Sequence, residues 1–258
     1  MTGAPTLVRV EDADGLRSLV LDRADKANAL TAAMLADLRR AIDSVARDSI
    51  GMVVLRSASP ALFCAGGDIE EFASGPAMLA AQGEGLRDVM LALARCPVPV
   101  VALARGKAAG AGVILLAMTD IVIAAEDLSL VCPEIAFNMY PVIVQAALET
   151  KISAARARQL CFSGQPLAAP AALELGLVTD VLAAEAFDAL SARRLAFYAE
   201  RREALAIARK ARLRMEPPDA LAARIASLEP LMHENFSRPG VQDAIRAYLA
   251  RLRGARAD

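Results

Sequence analysis

Residues 100–124 read VVALARGKAAGAGVILLAMTDIVIA, and this stretch decides the fold class. It opens on a continuous apolar run rich in Val, the pattern of a strand covered on both faces. Glycines over 106–112 then mark a turn that leads into an apolar helix over 113–118, and 120–124 is a second buried strand. Strand, glycine turn, helix and strand in so short a span is the rhythm of an α/β layered domain.

The same rhythm extends in both directions. Residues 52–56 read as a strand, 63–68 as a glycine-containing loop, and 84–95 as a helix that turns Leu86, Val89, Met90 and Leu93 inward. Nearer the start, 7–10 and 16–22 form a hairpin around the turn at 12–15. A helix over about 31–48 follows, with Met34, Leu35, Leu38, Ile42 and Val45 on one face and Arg39, Arg40 and Asp43 on the other. The repeating unit is two short strands and a helix. Past Leu182 the strand signals cease, and 186–215, 220–233 and 241–253 read as helices separated by Pro217-Pro218 and Pro239-Gly240. A helical end without a large core of its own is expected to pack on another subunit.

Composition narrows the chemistry. The 258 residues suffice for one large core, and 56% apolar content with positive mean hydropathy excludes disorder. The longest uncharged stretches, 108–119 and 135–148, are shorter than the roughly 20 residues a membrane helix needs, so no membrane association is expected. Lys and Arg number 29 against 30 Asp and Glu, a balance that argues against neutralising nucleic-acid phosphates. Residues 1–12 hold no apolar signal segment, and the four cysteines have no paired spacing, which together fit reduced thiols in a cytoplasm. With His233 alone, read as a surface or helix-end residue, neither a zinc site nor a Ser-His-Asp triad is expected. Catalysis is left to carboxylates, backbone dipoles or a cofactor.

Three segments carry candidate chemistry. Residues 63–72, FCAGGDIEEF, place Gly66 and Gly67 before Asp68, which caps the helix after it; this is an oxyanion or phosphate site, or an ordinary tight turn. Residues 106–116, GKAAGAGVILL, lack the Lys-Ser/Thr of a P-loop and either offer a second anion-stabilising N–H or pack a helix closely. Residues 132–135, CPEI, hold Glu134 in an apolar setting, where burial raises a carboxyl pKa towards that of a general base; the bland reading is a structural Glu.

These three segments, in this order, resemble the crotonase (enoyl-CoA hydratase/isomerase) superfamily, over almost the whole chain. Residues 23–30, RADKANAL, are similar to the family's R-P-x-K-x-N-A-L, and 63–72 to F-x-A-G-x-D. Residues 106–124 are similar to its G-x-x-x-G-x-G helix and following strand, 163–168 (SGQPLA) to T-G-x-x-x-x-A, and 172–178 (ALELGLV) to A-x-x-x-G-L-V. The resemblance implies a crotonase-like spiral of ββα repeats over 1–190 and a C-terminal helical trimerisation region over 191–258. It further implies a homotrimer or hexamer. The implied ligand is an acyl-CoA thioester, with CoA as part of the substrate and no separate cofactor. Its carbonyl oxygen would sit between the N–H groups of Gly67 and Ala111. Substrate contacts would come from Lys26, Ala27, Ala65, Asp68, Ile69, Ile114 and Tyr140, and from Tyr248 and Arg251 towards CoA.

Family hydratases carry two glutamates. One matches Glu134, fourteen positions after Asp120 as the family spacing requires; the other matches position 114, which is Ile. One carboxylate suffices for a proton shuttle, so the resemblance points to Δ3,Δ2-enoyl-CoA isomerase-type transfer by Glu134. The alternatives are a hydratase that takes Glu71 or Glu84 as its second acid, and a catalytically silent acyl-CoA binder. In 137–141, FNMYP, Asn138 and Tyr140 either approach the acyl chain or pack, with packing favoured for Tyr140.

Overall fold

The computed structural model describes residues 7–254. Its strands are β1 (Val8–Ala13), β2 (Leu16–Leu21), β3 (Met52–Ser57), β4 (Leu62–Cys64) and β5 (Val100–Ala104). They continue with β6 (Lys107–Ala109), β7 (Ile121–Ala125), β8 (Ser129–Val131), β9 (Leu167–Ala168) and β10 (Asp180–Leu182). One sheet has the order β1-β2-β3-β5-β7-β10 and the other β4-β6-β8-β9. From β2 onward the larger sheet is parallel, as are β4, β6 and β8 in the smaller one. The β1–β2 hairpin lies wholly in the larger sheet. After it, the pairs β3/β4, β5/β6 and β7/β8 each send their first strand to the larger sheet and their second to the smaller before the chain turns into a helix. The result is the α/β spiral of ββα units that the sequence implies.

α1 (Ala32–Asp43) starts where Thr31 Oγ1 accepts the Met34 N–H at 3.1 Å, and it buries the expected face. It stops at Asp43, short of residue 48, and Val45 reaches the core from the loop beyond. α2 (Ile69–Ala73) is short. α3 (Pro76–Arg95) begins eight residues before the expected start, because proline at the first helical position sacrifices no hydrogen bond. Gly83 and Gly85 thus lie inside it. α4 (Ala111–Ala117) is buried throughout. α5 (Val142–Leu148), α6 (Ala154–Ser163) and α7 (Ala169–Glu174) are too short for periodicity to reveal. α8 (Phe187–Ala199), which runs through position 190, and α9 (Arg202–Met215) replace the single helix expected over 186–215, the break falling at 200–201. α10 (Pro218–Ser237) and α11 (Pro239–Gly254) complete the chain. Among the described residues no helix is long and apolar enough to cross a membrane, and no group of three or more His, Cys, Asp or Glu is placed to hold a metal ion.

A buried charge fixes α9 to the spiral. Arg209, 2% exposed, donates to the carbonyls of Leu93, Ala94 and Cys96 at 2.7, 2.9 and 2.8 Å, where α3 ends and its last carbonyls lack helical partners. It also donates to Asp120 Oδ1 at 2.9 Å, while Asp120 Oδ2 accepts the Val100 N–H at 2.7 Å. One carboxylate thereby joins α9, β5 and the start of β7. Asp120→Ala leaves Arg209 buried without its counter-charge and is expected to cost about 3–5 kcal/mol. Urea denaturation checks this; an unchanged midpoint would show that the pair is dispensable.

Candidate active site

The site grows out of the smaller sheet. In its parallel register Cys64 lies opposite Ala108 and Ala109 opposite Val131, so the chain leaves β4, β6 and β8 at the same sheet edge. Residues 65–67, 110–111 and 132–134 are thus neighbours in space although they are far apart in sequence. Two glycines permit the approach. Gly66 has φ +103°, and a Cβ there would lie 3.0 Å from the Ala109 carbonyl oxygen and 3.6 Å from the Ala111 nitrogen. Gly110 has φ +49°, and a Cβ there would lie 2.6 Å from Glu134 Oε1.

The backbone leaves two donors open at this point. Leu30 N–H donates to the Gly66 carbonyl at 2.7 Å and Asp68 N–H to the Leu30 carbonyl at 2.9 Å, so the bridge passes over the N–H of Gly67. Ala111 is the first residue of α4, where an N–H has no partner within the helix. Among the described residues no hydrogen bond takes up either N–H. Both residues line one cavity, of about 790 Å³ with its mouth included, whose walls are otherwise chiefly apolar.

Glu134 enters the same cavity from a 3-10 turn, Pro133–Phe137. Its Oε1 rests against Gly110, and its Oε2 is buried with no hydrogen-bond partner. Burial raises its pKa to about 7, partly opposed by a backbone hydrogen bond. Ile114, 1% exposed, lines the same cavity one turn along α4 from Ala111. A second cavity of about 410 Å³, lined by Ala65, Ile69, Pro133, Phe137 and Ile245, adjoins the first. Gly67, Phe72, Glu134 and Met139 line both, so the Gly67 donor and the carboxylate stand where the cavities meet, with Ala111 on the wall of the first. Such an arrangement can stabilise an oxyanion and move a proton beside it.

The other residues singled out in the sequence are distributed differently. Ala65 and Ile69 line the second cavity. Asp68 lines neither: its Oδ1 accepts the N–H groups of Glu70 and Glu71 at 2.9 and 3.2 Å, and its Oδ2 pairs with Arg23 at 2.6 Å. Lys26 pairs with Glu70 at 3.1 Å, and the Ala27 carbonyl accepts the Ala65 N–H at 3.0 Å, so this segment braces the 64–68 loop from behind. Tyr140 lines the first cavity, but its hydroxyl donates to Gln145. Asn138 is exposed, in a left-handed conformation that ends the 3-10 turn. Tyr248 meets Phe137 of the same chain edge-on, ring centres 5.2 Å apart, whereas the Arg251 side chain lies outside the described residues. Neither alternative second acid faces a cavity. Glu71 accepts the Ala32 N–H at 2.9 Å and Gln82 Nε2 at 2.6 Å, and Glu84 is exposed.

Four further residues shape the site. Asn28, buried at φ +49°, accepts the Arg23 N–H at 2.8 Å and donates to Ser57 Oγ and the Phe63 carbonyl at 2.8 and 3.0 Å. Its tolerance of left-handed backbone is the one sequence signal for that role. Gln82 shares a helical stripe with Leu79 and Leu86, which marks its face and not its task. Phe72 seats its ring on the bare Cα of Gly67, where a Cβ would lie 2.5 Å from the ring edge. Phe236 of α10 backs that ring at 5.5 Å between centres.

Residues 11–255 match the family model described as enoyl-CoA hydratase/isomerase. The chain belongs to that family. Rat enoyl-CoA hydratase domain-containing protein 3, named as mitochondrial, is 28% identical over 251 residues, covering 96% of this chain and 84% of the relative. A probable enoyl-CoA hydratase of Rhodobacter capsulatus is 31% identical over 180 residues, 68% of each chain. In fold, the enoyl-CoA hydratase structure from Bacillus halodurans superimposes with a TM-score of 0.84 at 21% identity, covering 94% of this chain and all of that one.

For this enoyl-CoA hydratase/isomerase family member, the buried carboxyl gives a pH signature. Folding raises the Glu134 pKa to about 7, so its ionisation opposes folding. The stability of the neutral form is fully present below the unfolded pKa and is lost as pH rises through about 7. Glu134→Gln removes that loss. The variant is expected to melt at a higher temperature than the unaltered protein at about pH 8, the gap closing towards about pH 4. Calorimetric melts across this range check it; a pH-independent gap would contradict a buried, titrating Glu134.

Proposed function

We propose that this member of the family shifts a double bond within an acyl-CoA thioester, by a Δ3,Δ2-enoyl-CoA isomerase-type proton transfer. One observation carries the reading: among the described residues Glu134 is the sole carboxylate lining either cavity, and Ile114 lines the larger one with it. Splitting water across a double bond by two acids requires a second group that holds the water. An aliphatic side chain cannot do that.

The steps follow from the positions of the groups. The thioester carbonyl oxygen accepts hydrogen bonds from the N–H groups of Gly67 and Ala111. Glu134 takes a proton from C2 of a 3-enoyl chain, and the electron pair delocalises into a dienolate whose oxygen the two N–H groups stabilise. The same carboxyl returns the proton at C4, leaving the double bond between C2 and C3. A pKa of about 7 suits both halves of the exchange, since the group must accept and then release the same proton. Nothing is oxidised or reduced, so the reaction needs no cofactor beyond the CoA of its substrate. The second cavity, with Ala65, Ile69 and Phe137, is the proposed path for the CoA arm. Exposed Ile207 and Met215 on α9 support the self-association, as trimer or hexamer, that the resemblance implies.

Offered 3-enoyl-CoA and 2-enoyl-CoA separately, the protein is expected to convert the first and to add water to the second only slowly. Rapid hydration would overturn the isomerase reading, and binding without turnover of either would make the chain a silent binder. Glu134→Gln is expected to lower kcat by about 10²–10⁴-fold. Ala111→Pro deletes one donor at a position where helices tolerate proline, and is expected to cost about 10²–10³-fold in kcat with the circular dichroism spectrum retained.

A further inference from the structure

Glycine is a poor residue inside a helix, yet α3 carries two within one turn, at Gly83 and Gly85. Each is filled by a neighbour's side chain. A Cβ on Gly85 would meet Leu35 of α1 at 3.1 Å, and a Cβ on Gly83 would meet the terminal methyl of Met232 of α10 at 2.9 Å. Leu35, Gly83 and Met232 all line the larger cavity and not the smaller one. The residues shared by both cavities mark the reacting end, and these three lie outside that shared set, on wall that remains for the acyl chain. The two contacts differ in kind. Leu35 presents its Cβ, next to the backbone, whereas Met232 presents the free end of a flexible side chain.

Apart from Gly67, Ala111 and Glu134 at the reacting end, the polar side chains of this cavity are engaged within the protein. Tyr140 donates its hydroxyl to Gln145, and its backbone N–H and carbonyl are held by Asn235 at 3.2 and 2.6 Å. Gln82 donates to the Asp68 carbonyl at 3.1 Å and to Glu71, and its amide oxygen lies beside Gly67, at the reacting end. A polar substituent far along the acyl chain would find no free partner there and would lose its hydration.

We propose that Met232, seated on Gly83, sets the length limit of the acyl chain, and that the chain it limits is an unsubstituted hydrocarbon. This rests on the acyl-CoA reading of the site but not on which reaction follows. Gly83→Ala pushes the Met232 tip into the cavity and shortens it; Met232→Ala opens it. Both keep the helices, since Ala is the better helix former.

The test is calorimetric titration of the full chain with saturated straight-chain acyl-CoAs of increasing length, which the proposed isomerisation leaves unchanged. Affinity is expected to rise about fourfold per added methylene up to a limit. That limit should fall at a shorter chain in Gly83→Ala and at a longer one in Met232→Ala. An acyl-CoA ending in a carboxylate is expected to bind at least tenfold more weakly than the hydrocarbon of equal length. Variants that leave the limit in place, or that weaken every length equally, would overturn the proposal, as would tight binding of the carboxylate-ended chain. If no acyl-CoA binds better than CoA itself, the acyl-CoA reading falls with it. If the length pattern appears but 3-enoyl-CoA is not isomerised, only the reaction assignment fails.

Discussion

The parallel pairing of three very short strands, β4, β6 and β8, is the constraint on which the site depends. Each strand is only three residues long, yet their common direction delivers three loops to one sheet edge. The loops supply, in turn, the N–H of Gly67, the N–H of Ala111 and the carboxyl of Glu134. Gly66 and Gly110 let them approach more closely than any side chain would permit. Behind them Asn28, Asp68 and Arg23 hold the first loop by buried and partly buried hydrogen bonds, so the two open donors face the cavity without having to reorganise.

Burial then determines what the carboxyl can do. A glutamate in water is ionised well below neutrality, whereas Glu134, with one oxygen enclosed and unpartnered, titrates at about 7. The cavity that encloses it is apolar for the same reason that Ile114 is accommodated there: the helix carrying Ala111 and Ile114 is buried along its whole length. An apolar wall at this point raises the basicity of Glu134, and Ile114 adds no second carboxylate to the cavity.

Much of this was legible in the residues. The strand, glycine turn and helix over 100–124 identified the fold class, and Glu134 stood out as one charge within an apolar segment. Gly67 and Ala111 were found by resemblance to a family motif, because a backbone donor leaves little trace in side-chain chemistry. Other features were not legible. The resemblance implies a substrate contact for Asp68, but both of its oxygens are engaged within the protein. The sequence leaves Glu71 open as an alternative second acid; only the fold shows that its carboxylate is bound to Ala32 and Gln82 while that of Glu134 has an unpartnered oxygen. Gly83 and Gly85 of α3 gave no sign in the sequence that Leu35 and Met232 fill the space beside them; only the fold shows it.

By itself the sequence determined the α/β class, the ββα rhythm, the helical C-terminal part and the absence of an acid at position 114, because each of these is written in local pattern or residue identity. The tertiary structure alone decided which carboxylate faces the cavity, which N–H groups remain unpaired, and that Met232 closes against Gly83. Those properties depend on contacts between segments far apart in the chain. Burial and hydrogen-bond occupancy belong to the assembled neighbours of a residue, not to the residue itself.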